Sequence, residues 1–293
     1  MSDLNAVTTQ LTRIANALES LSGQASVVFP DQEVPAYRWE SNRGSAVGGR
    51  LVPIENPALI EFDDLQNIER QRDAIRRNTQ QFIAGYPANN VLLTGARGTG
   101  KSSLVKACLA EFQTQGLRLI EIDKHDLADL RLLVDVVRRR SEYFILFCDD
   151  LSFEAGDDHY KALKSALDGA LSGTAPNMLV YATSNRRHLL PEQMSENLEA
   201  QQGHDGEIHP GDTTEEKVSL SERFGLWLSF YPFSQDDYLR AVNHWLAHFG
   251  LSSEQVEAAQ EEALLWFRTR GARSGRVAWQ FVRDYLGRHQ LGL

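Results

Sequence analysis

The stretch Asn90-Val-Leu-Leu-Thr-Gly95-Ala96-Arg97-Gly98-Thr99-Gly100-Lys101-Ser102-Ser103-Leu-Val leaves the chain few ways to fold. Apolar and β-branched residues run directly into Gly95-x-x-x-x-Gly100-Lys101-Ser102, the phosphate-binding loop pattern, and an apolar helical run follows. Phosphate oxygens must be wrapped closely by backbone N–H groups, and glycines at 95, 98 and 100 remove the Cβ atoms that would hold the chain away. Lys101 then carries charge to the β and γ phosphates. The helix starting near Gly100 points its positive end at the same anion, and the Ser102 hydroxyl is placed to hold Mg²⁺.

Composition narrows the class further. The 293 residues exceed one average domain, and an apolar content of 42% is ample for a packed interior. Thirty basic against forty acidic residues give a net charge of −10, which opposes unspecific attraction to nucleic acid. Cys108 and Cys148 both fall in apolar runs and read as reduced core residues, with no metal-ligand spacing around them. The amino terminus carries no basic-then-apolar leader, and no uncharged apolar run approaches ~18 residues. The cytoplasm is therefore the expected compartment, without a membrane partner.

Leu4, Val7, Leu11, Ile14, Leu18 and Leu21 alternate at spacings of three and four, one apolar seam on an amphipathic helix. Residues 22–57, rich in Pro and Gly with Phe29, Tyr37 and Trp39 interspersed, show no lasting period and read as an irregular linker. Beyond the loop motif, Leu104 to Phe112 is helical, Leu117 to Asp123 a strand, and Leu127 to Arg140 a helix. Tyr143-Phe-Ile-Leu-Phe-Cys148-Asp149-Asp150 is a continuous apolar run ending in two carboxylates, as a buried parallel strand does where its carboxyl end opens on a ligand crevice. Beside a phosphate loop, Asp149 is the candidate for Mg²⁺ and Asp150 for orienting the attacking water. Asn177 to Arg186 is another buried strand. Its Asn185 either reaches the γ-phosphate or caps the next helix. Residues 192–222 hold nine acidic residues and one lysine and read as a solvated insertion. Leu226 to Tyr231 makes a fifth strand, and helical periodicity governs the rest, with Ser274 a cap for the last helix. The expected organisation is residues 1–57 as amphipathic helix and linker, 58–232 as an α/β domain with a parallel five-stranded sheet flanked by helices, and 233–293 as a helical lid.

These motifs, in this order, resemble the AAA+ ATPases over about Phe62 to Leu286. Asp149-Asp150 resembles the variant found in bacterial replication initiators and helicase loaders, and Glu222-Arg223-Phe224-Gly225 the arginine-finger box of that clade. Pro87-Ala-Asn-Asn90-Val-Leu-Leu, Asp149-Asp-Leu-Ser-Phe-Glu154 and Ser-Leu-Ser-Glu-Arg-Phe-Gly-Leu-Trp-Leu are similar, more narrowly, to one bacterial AAA+ family of unknown function. The resemblance implies ATP/ADP and Mg²⁺ as cofactors, with residues 95–103 as phosphate cradle and Ile68 against adenine. It implies that Asn185 is the sensor on a strand between the loop strand and the Asp-pair strand. Arg276 is implied as lid sensor, with Arg273 its competitor, and Arg223 acts in trans within a homo-oligomer. An ATPase remodelling or loading an unidentified protein client is the implied function, and a slow ATP-dependent switch is the alternative. DNA is a possible but less favoured partner, resting on the clade and on arginines at 268, 270, 273, 276, 283 and 288. Two departures stand out. Asn67 occupies a position where many AAA+ chains have Gly, and Asp150 is shorter than the usual Glu, for which Glu154 is a substitute.

Overall fold

The computed structural model describes residues 27–30, 32–42, 48–153, 159–168, 175–186, 189 and 220–291. The apolar runs become parallel strands: β4 (Val91–Gly95), β5 (Leu117–Glu121), β6 (Tyr143–Cys148), β7 (Met178–Ser184) and β8 (Leu226–Phe230). They pair in the order β5-β6-β7-β4-β8, all parallel. Both faces of this sheet are covered, which is why the strands read as unbroken apolar runs. Val91, Leu93, Ile145, Phe147 and Tyr181 face one core, with α1 (Glu69–Ile83) and α2 (Lys101–Phe112). Leu92, Phe144, Leu146, Val180 and Ala182 face another, with α3 (Leu130–Val137) and α4 (His159–Asp168). Successive residues point to opposite sides, so one strand feeds two cores.

The sheet has eight strands rather than the expected five, and this corrects the reading of residues 22–57 as irregular. Within them β1 (Val27–Val28), β2 (Ala36–Ser41) and β3 (Gly49–Ile54) continue the sheet beyond β5, giving the order β1-β3-β2-β5-β6-β7-β4-β8. β2 pairs parallel with β5 and antiparallel with β3. The prolines that suggest a linker sit where the ladder tolerates them: Pro35 precedes β2, and Pro53 lies past the two residues of β3 that meet β1. Burial holds the hairpin down. Tyr37 and Trp39 are almost fully buried, the Trp39 indole donates to Asp129 Oδ2 at 3.1 Å, and Ser41 Oγ donates to Asp126 Oδ1 at 2.6 Å.

The carboxyl-terminal helices α5 (Gln235–His248), α6 (Ser253–Arg270) and α7 (Gly275–Leu291) pack around Phe233, Tyr238, Val242, Leu246, Phe281 and Val282. Ser234 and Ser252 cap α5 and α6 through reciprocal bonds with Asp237 and Gln255, and Ser274 Oγ accepts from Val277 N at 3.3 Å at the start of α7. Residues expected as one helix from 127 divide into a 3-10 turn (Lys124–Asp129) and α3. Cys108 and Cys148 are buried and unpaired, and burial pushes both thiols up to about 12. The amphipathic seam at 4–21, Glu154, and all but the last three residues of the acidic stretch 192–222 lie outside the described residues. No helix among the described residues is long and apolar enough to cross a membrane.

If the hairpin is integral to the sheet, Trp39→Ala lowers the stability of the whole chain to denaturant by about 3–5 kcal/mol, the range for deleting a buried large aromatic. Substitution in an exposed linker changes stability by less than about 0.5 kcal/mol.

Candidate functional site

The loop between β4 and α2 is shaped by approaches that no side chain survives. Gly95 has φ +131°, and a Cβ there would lie 1.9 Å from the Phe230 carbonyl oxygen on β8. A Cβ on Gly98, at φ +75°, would lie 2.8 Å from Ser274 Oγ and 3.1 Å from Arg276 Cβ, so the lid leans directly on the loop. Arg276 N donates to Gly98 O at 3.2 Å, and Thr99 Oγ1 closes the turn on Ala96 O at 2.8 Å. Gly100 ends the loop in the left-handed region, and α2 starts at Lys101 with its first N–H groups and dipole aimed into the cleft.

The chemistry-bearing side chains converge on this loop. The Lys101 ammonium donates to Gly95 O and Ala96 O, both at 2.8 Å, and to Asn185 Oδ1 at 3.0 Å. Burial lowers its pKa below that of a free lysine, opposed by Asp149 and Asp150 and reinforced by Arg276 and Arg97. Ser102 Oγ donates to Asp149 Oδ1 at 2.6 Å, bringing together the two groups expected to hold a cation. A hydroxyl and a carboxylate are hard oxygen donors of the kind Mg²⁺ takes alongside phosphate oxygens and water. Asp150 occupies the left-handed region at φ +53°, uncommon outside glycine, and its Oδ1 accepts from Asn185 Nδ2 at 2.5 Å. β7 does lie between β4 and β6, so its carboxyl tip carries Asn185 to a position between Lys101 and Asp150.

Around these groups opens a cleft of about 960 Å³ between sheet and lid. Arg97 to Ser103, Lys106, Asp149, Asp150, Asn185 and Arg276 make its charged half. Its other half is apolar, with Leu59, Leu65 and Ile68 from the sheet domain facing Trp245 and Trp279 from the lid. The two indoles meet edge to face at 4.6 Å between centroids. Asn67, next to Ile68, stands at φ +65°, a conformation that favours glycine, and Asn is among the few other residues that tolerate it. Asparagine adds something glycine lacks: Asn67 Nδ2 donates to Asp237 O and its Oδ1 accepts from Arg240, both at 2.8 Å, clipping the sheet domain to α5.

Two expected arginines lie elsewhere. Arg273 sits over the Phe267 ring at 5.6 Å within the lid, outside the cleft lining, whereas Arg276 lines it. Arg223 lies just before β8, in a segment packed on Asn89 at the amino end of β4. The loop is at the carboxyl ends of these parallel strands, roughly 16 Å away over five residues, and Arg223 is not part of its own cleft. Residues the sequence analysis passed over are Thr183, two positions before Asn185 at the carboxyl end of β7, and Trp279, three positions after Arg276 on α7. Strand and helix periods from the recognised residues would have found both.

Comparison with known proteins agrees with this architecture. Many solved structures match. The ORC1 protein of Aeropyrum pernix, solved in complex with DNA, matches at TM-score 0.51 and 14% identity over 77% of this chain and 61% of its own. The Thermotoga maritima RuvB Holliday junction branch migration motor matches at TM-score 0.40 and 14% identity over 76% and 71%. A chain of an Escherichia coli HORMA:CdnC:Trip13 complex matches at 0.46 and 12% over 76% and 89%. At 14% identity the ORC1 likeness establishes the fold alone, a parallel α/β sheet followed by helices. No curated protein matches. The profile of the family described as "Protein of unknown function (DUF815)" matches residues 32–289, from the hairpin through the lid, and the chain belongs to that family.

Proposed function

We propose that this chain is a cytoplasmic ATPase that binds Mg·ATP in the cleft between sheet and lid and couples hydrolysis to remodelling or loading of a protein client. The observation that carries the reading is the loop itself: glycine-shaped main chain, a buried lysine and a helix amino terminus on one point, with Ser102 and Asp149 bonded beside it. The cleft also has the two-part chemistry of a nucleotide. Its charged half suits phosphates, and its aromatic half suits a planar base against Ile68, Trp245 and Trp279. Magnesium, when bound, would offset charge on the phosphates, and Ser102 and Asp149 are the groups that would hold it. Lys101 exchanges its carbonyl partners for phosphate oxygens. Asn185 Nδ2, which gives one N–H to Asp150 Oδ1, has a second with which to donate to the γ-phosphate, while Asp150 orients the attacking water.

Arg223 completes the site in trans. Its distance from its own loop supports a homo-oligomer in which each copy supplies this cation to its neighbour, with Arg276 reading the γ-phosphate from the lid. Hydrolysis then changes the lid and subunit angles, which is how the work is done. The same placement favours a second reading, a slow switch that holds ATP and recruits a partner, because one copy alone lacks the third cation. DNA is the less favoured partner. The fold is shared with ORC1, solved with DNA, but a net charge of −10 opposes a phosphate backbone.

Steady-state hydrolysis separates the readings. Lys101→Ala abolishes turnover, whereas Arg223→Ala retains ATP affinity within about threefold and loses about 10³-fold or more in rate. Mixing the two variants restores hydrolysis at mixed interfaces. A mixture as inactive as its components contradicts the trans assignment, and slow turnover at every wild-type concentration favours the switch.

The aromatic half is tested by comparing ATP with inorganic tripolyphosphate. Trp279→Leu weakens ATP about tenfold, the scale of one lost base stack, and leaves tripolyphosphate unchanged. Equal losses for both ligands place the indole's role outside base binding.

A further inference from the structure

Resting on the nucleotide site just proposed, we infer that Thr183 is a positioning residue that sets both carboxylates of the 149–150 pair through one hydroxyl. Thr183 is 2% exposed, at the carboxyl end of β7. Cys148 pairs with Ala182, so Asp149 comes opposite Thr183 in the next register step, and side chains opposite one another in a parallel pair share a face. Thr183 Oγ1 donates to Asp149 Oδ1 at 2.6 Å and accepts from the Asp150 backbone N–H at 2.9 Å. The hydroxyl has one proton and spends it on Asp149, and a lone pair takes the amide of the next residue. The Thr183 carbonyl accepts from Leu151 N at 2.7 Å, so three successive residues are tied to this one position.

Each bond fixes something the proposed site needs. Asp149 Oδ1 receives both Ser102 and Thr183, and among the described residues Oδ2 receives no hydrogen bond, which leaves that oxygen for a cation's water shell. The amide bond holds Asp150 in its left-handed turn, the conformation that presents its carboxylate to Asn185. Thr183 lies in the last two residues of β7 and Asn185 directly follows the strand, so one strand end carries a positioning hydroxyl and the amide sensor. A threonine serving only to fill the core would be matched by valine, which has the same shape without the oxygen.

The experiment uses the full chain with Thr183→Val and Thr183→Ser, checking both for native secondary structure and thermal unfolding. Valine lowers kcat and raises the magnesium concentration for half-maximal hydrolysis, each about 10–100-fold, the range seen when a residue orienting a metal ligand is removed. Its ATP affinity in EDTA stays within threefold of wild type, and serine restores both parameters to within about threefold. Wild-type behaviour of the valine variant overturns the inference, and so does a serine variant as impaired as the valine one, because that assigns the role to the methyl group. If valine does not fold, serine and Thr183→Ala are compared by the magnesium dependence of ATP affinity in calorimetry, and equal dependence overturns it. Absence of ATP binding by the wild-type chain removes the nucleotide site itself. ATP binding with an unaltered magnesium response in Thr183→Val removes the role of Thr183 alone.

Discussion

A main-chain turn too tight for side chains governs this structure. Gly95 lets β4 and β8 close to a distance at which one methyl group would overlap the Phe230 carbonyl, and Gly98 lets the lid rest on the loop through Ser274 and Arg276. Backbone N–H groups are thereby brought to one point at the head of α2, where dipole and orphan donors already favour an anion. Because the Gly98 carbonyl is also the acceptor for the Arg276 N–H, the surface proposed to grip phosphate and the surface that seats the lid are one peptide apart. A change in the loop has a short mechanical route to the three carboxyl-terminal helices.

The charges around this turn are satisfied internally. Lys101 divides its protons between two loop carbonyls and Asn185, Ser102 gives its proton to Asp149, and Asn185 bridges Lys101 to Asp150. Burial disfavours the lysine's charged form while the two carboxylates favour it, a balance that incoming phosphate oxygens shift toward the ammonium. Each bond Lys101 makes to a ligand replaces an existing one, so its gain lies in charge pairing within a part-buried cleft. The aromatic half and the Asn67 clip come from segments far apart in sequence and attach the lid to the sheet domain besides the loop.

How much of this could be read from residues alone follows from the range of the interactions. The parallel strands were legible because burial on both faces writes a continuous apolar run, and the loop because its glycines and lysine are local. The hairpin at 36–54 was not. Pro35 stands directly before β2 and Pro53 lies inside β3, and Trp39 is held by Asp129, ninety positions away. Asn67 was visible as a departure from glycine, but its reason needed both the backbone angle and partners on α5, 170 and 173 positions away. Of the charged candidates, those next to strand ends assembled as the motif order suggested. Arg223 took its meaning from strand direction: a parallel β8 carries it to the opposite end of the sheet from the loop. Trp245 and Trp279 have ordinary helical spacing and meet only where α5 packs on α7, beside Ile68.

The account stands on main-chain amides gripping the anion, and amide hydrogen exchange reads those groups one peptide at a time. Adding Mg·ATP to the full chain at neutral pH is predicted to slow exchange across residues 96–103, with a smaller effect across 274–279 where the lid meets the loop. Unchanged exchange in that loop at saturating nucleotide would contradict the account, whatever happened elsewhere in the chain.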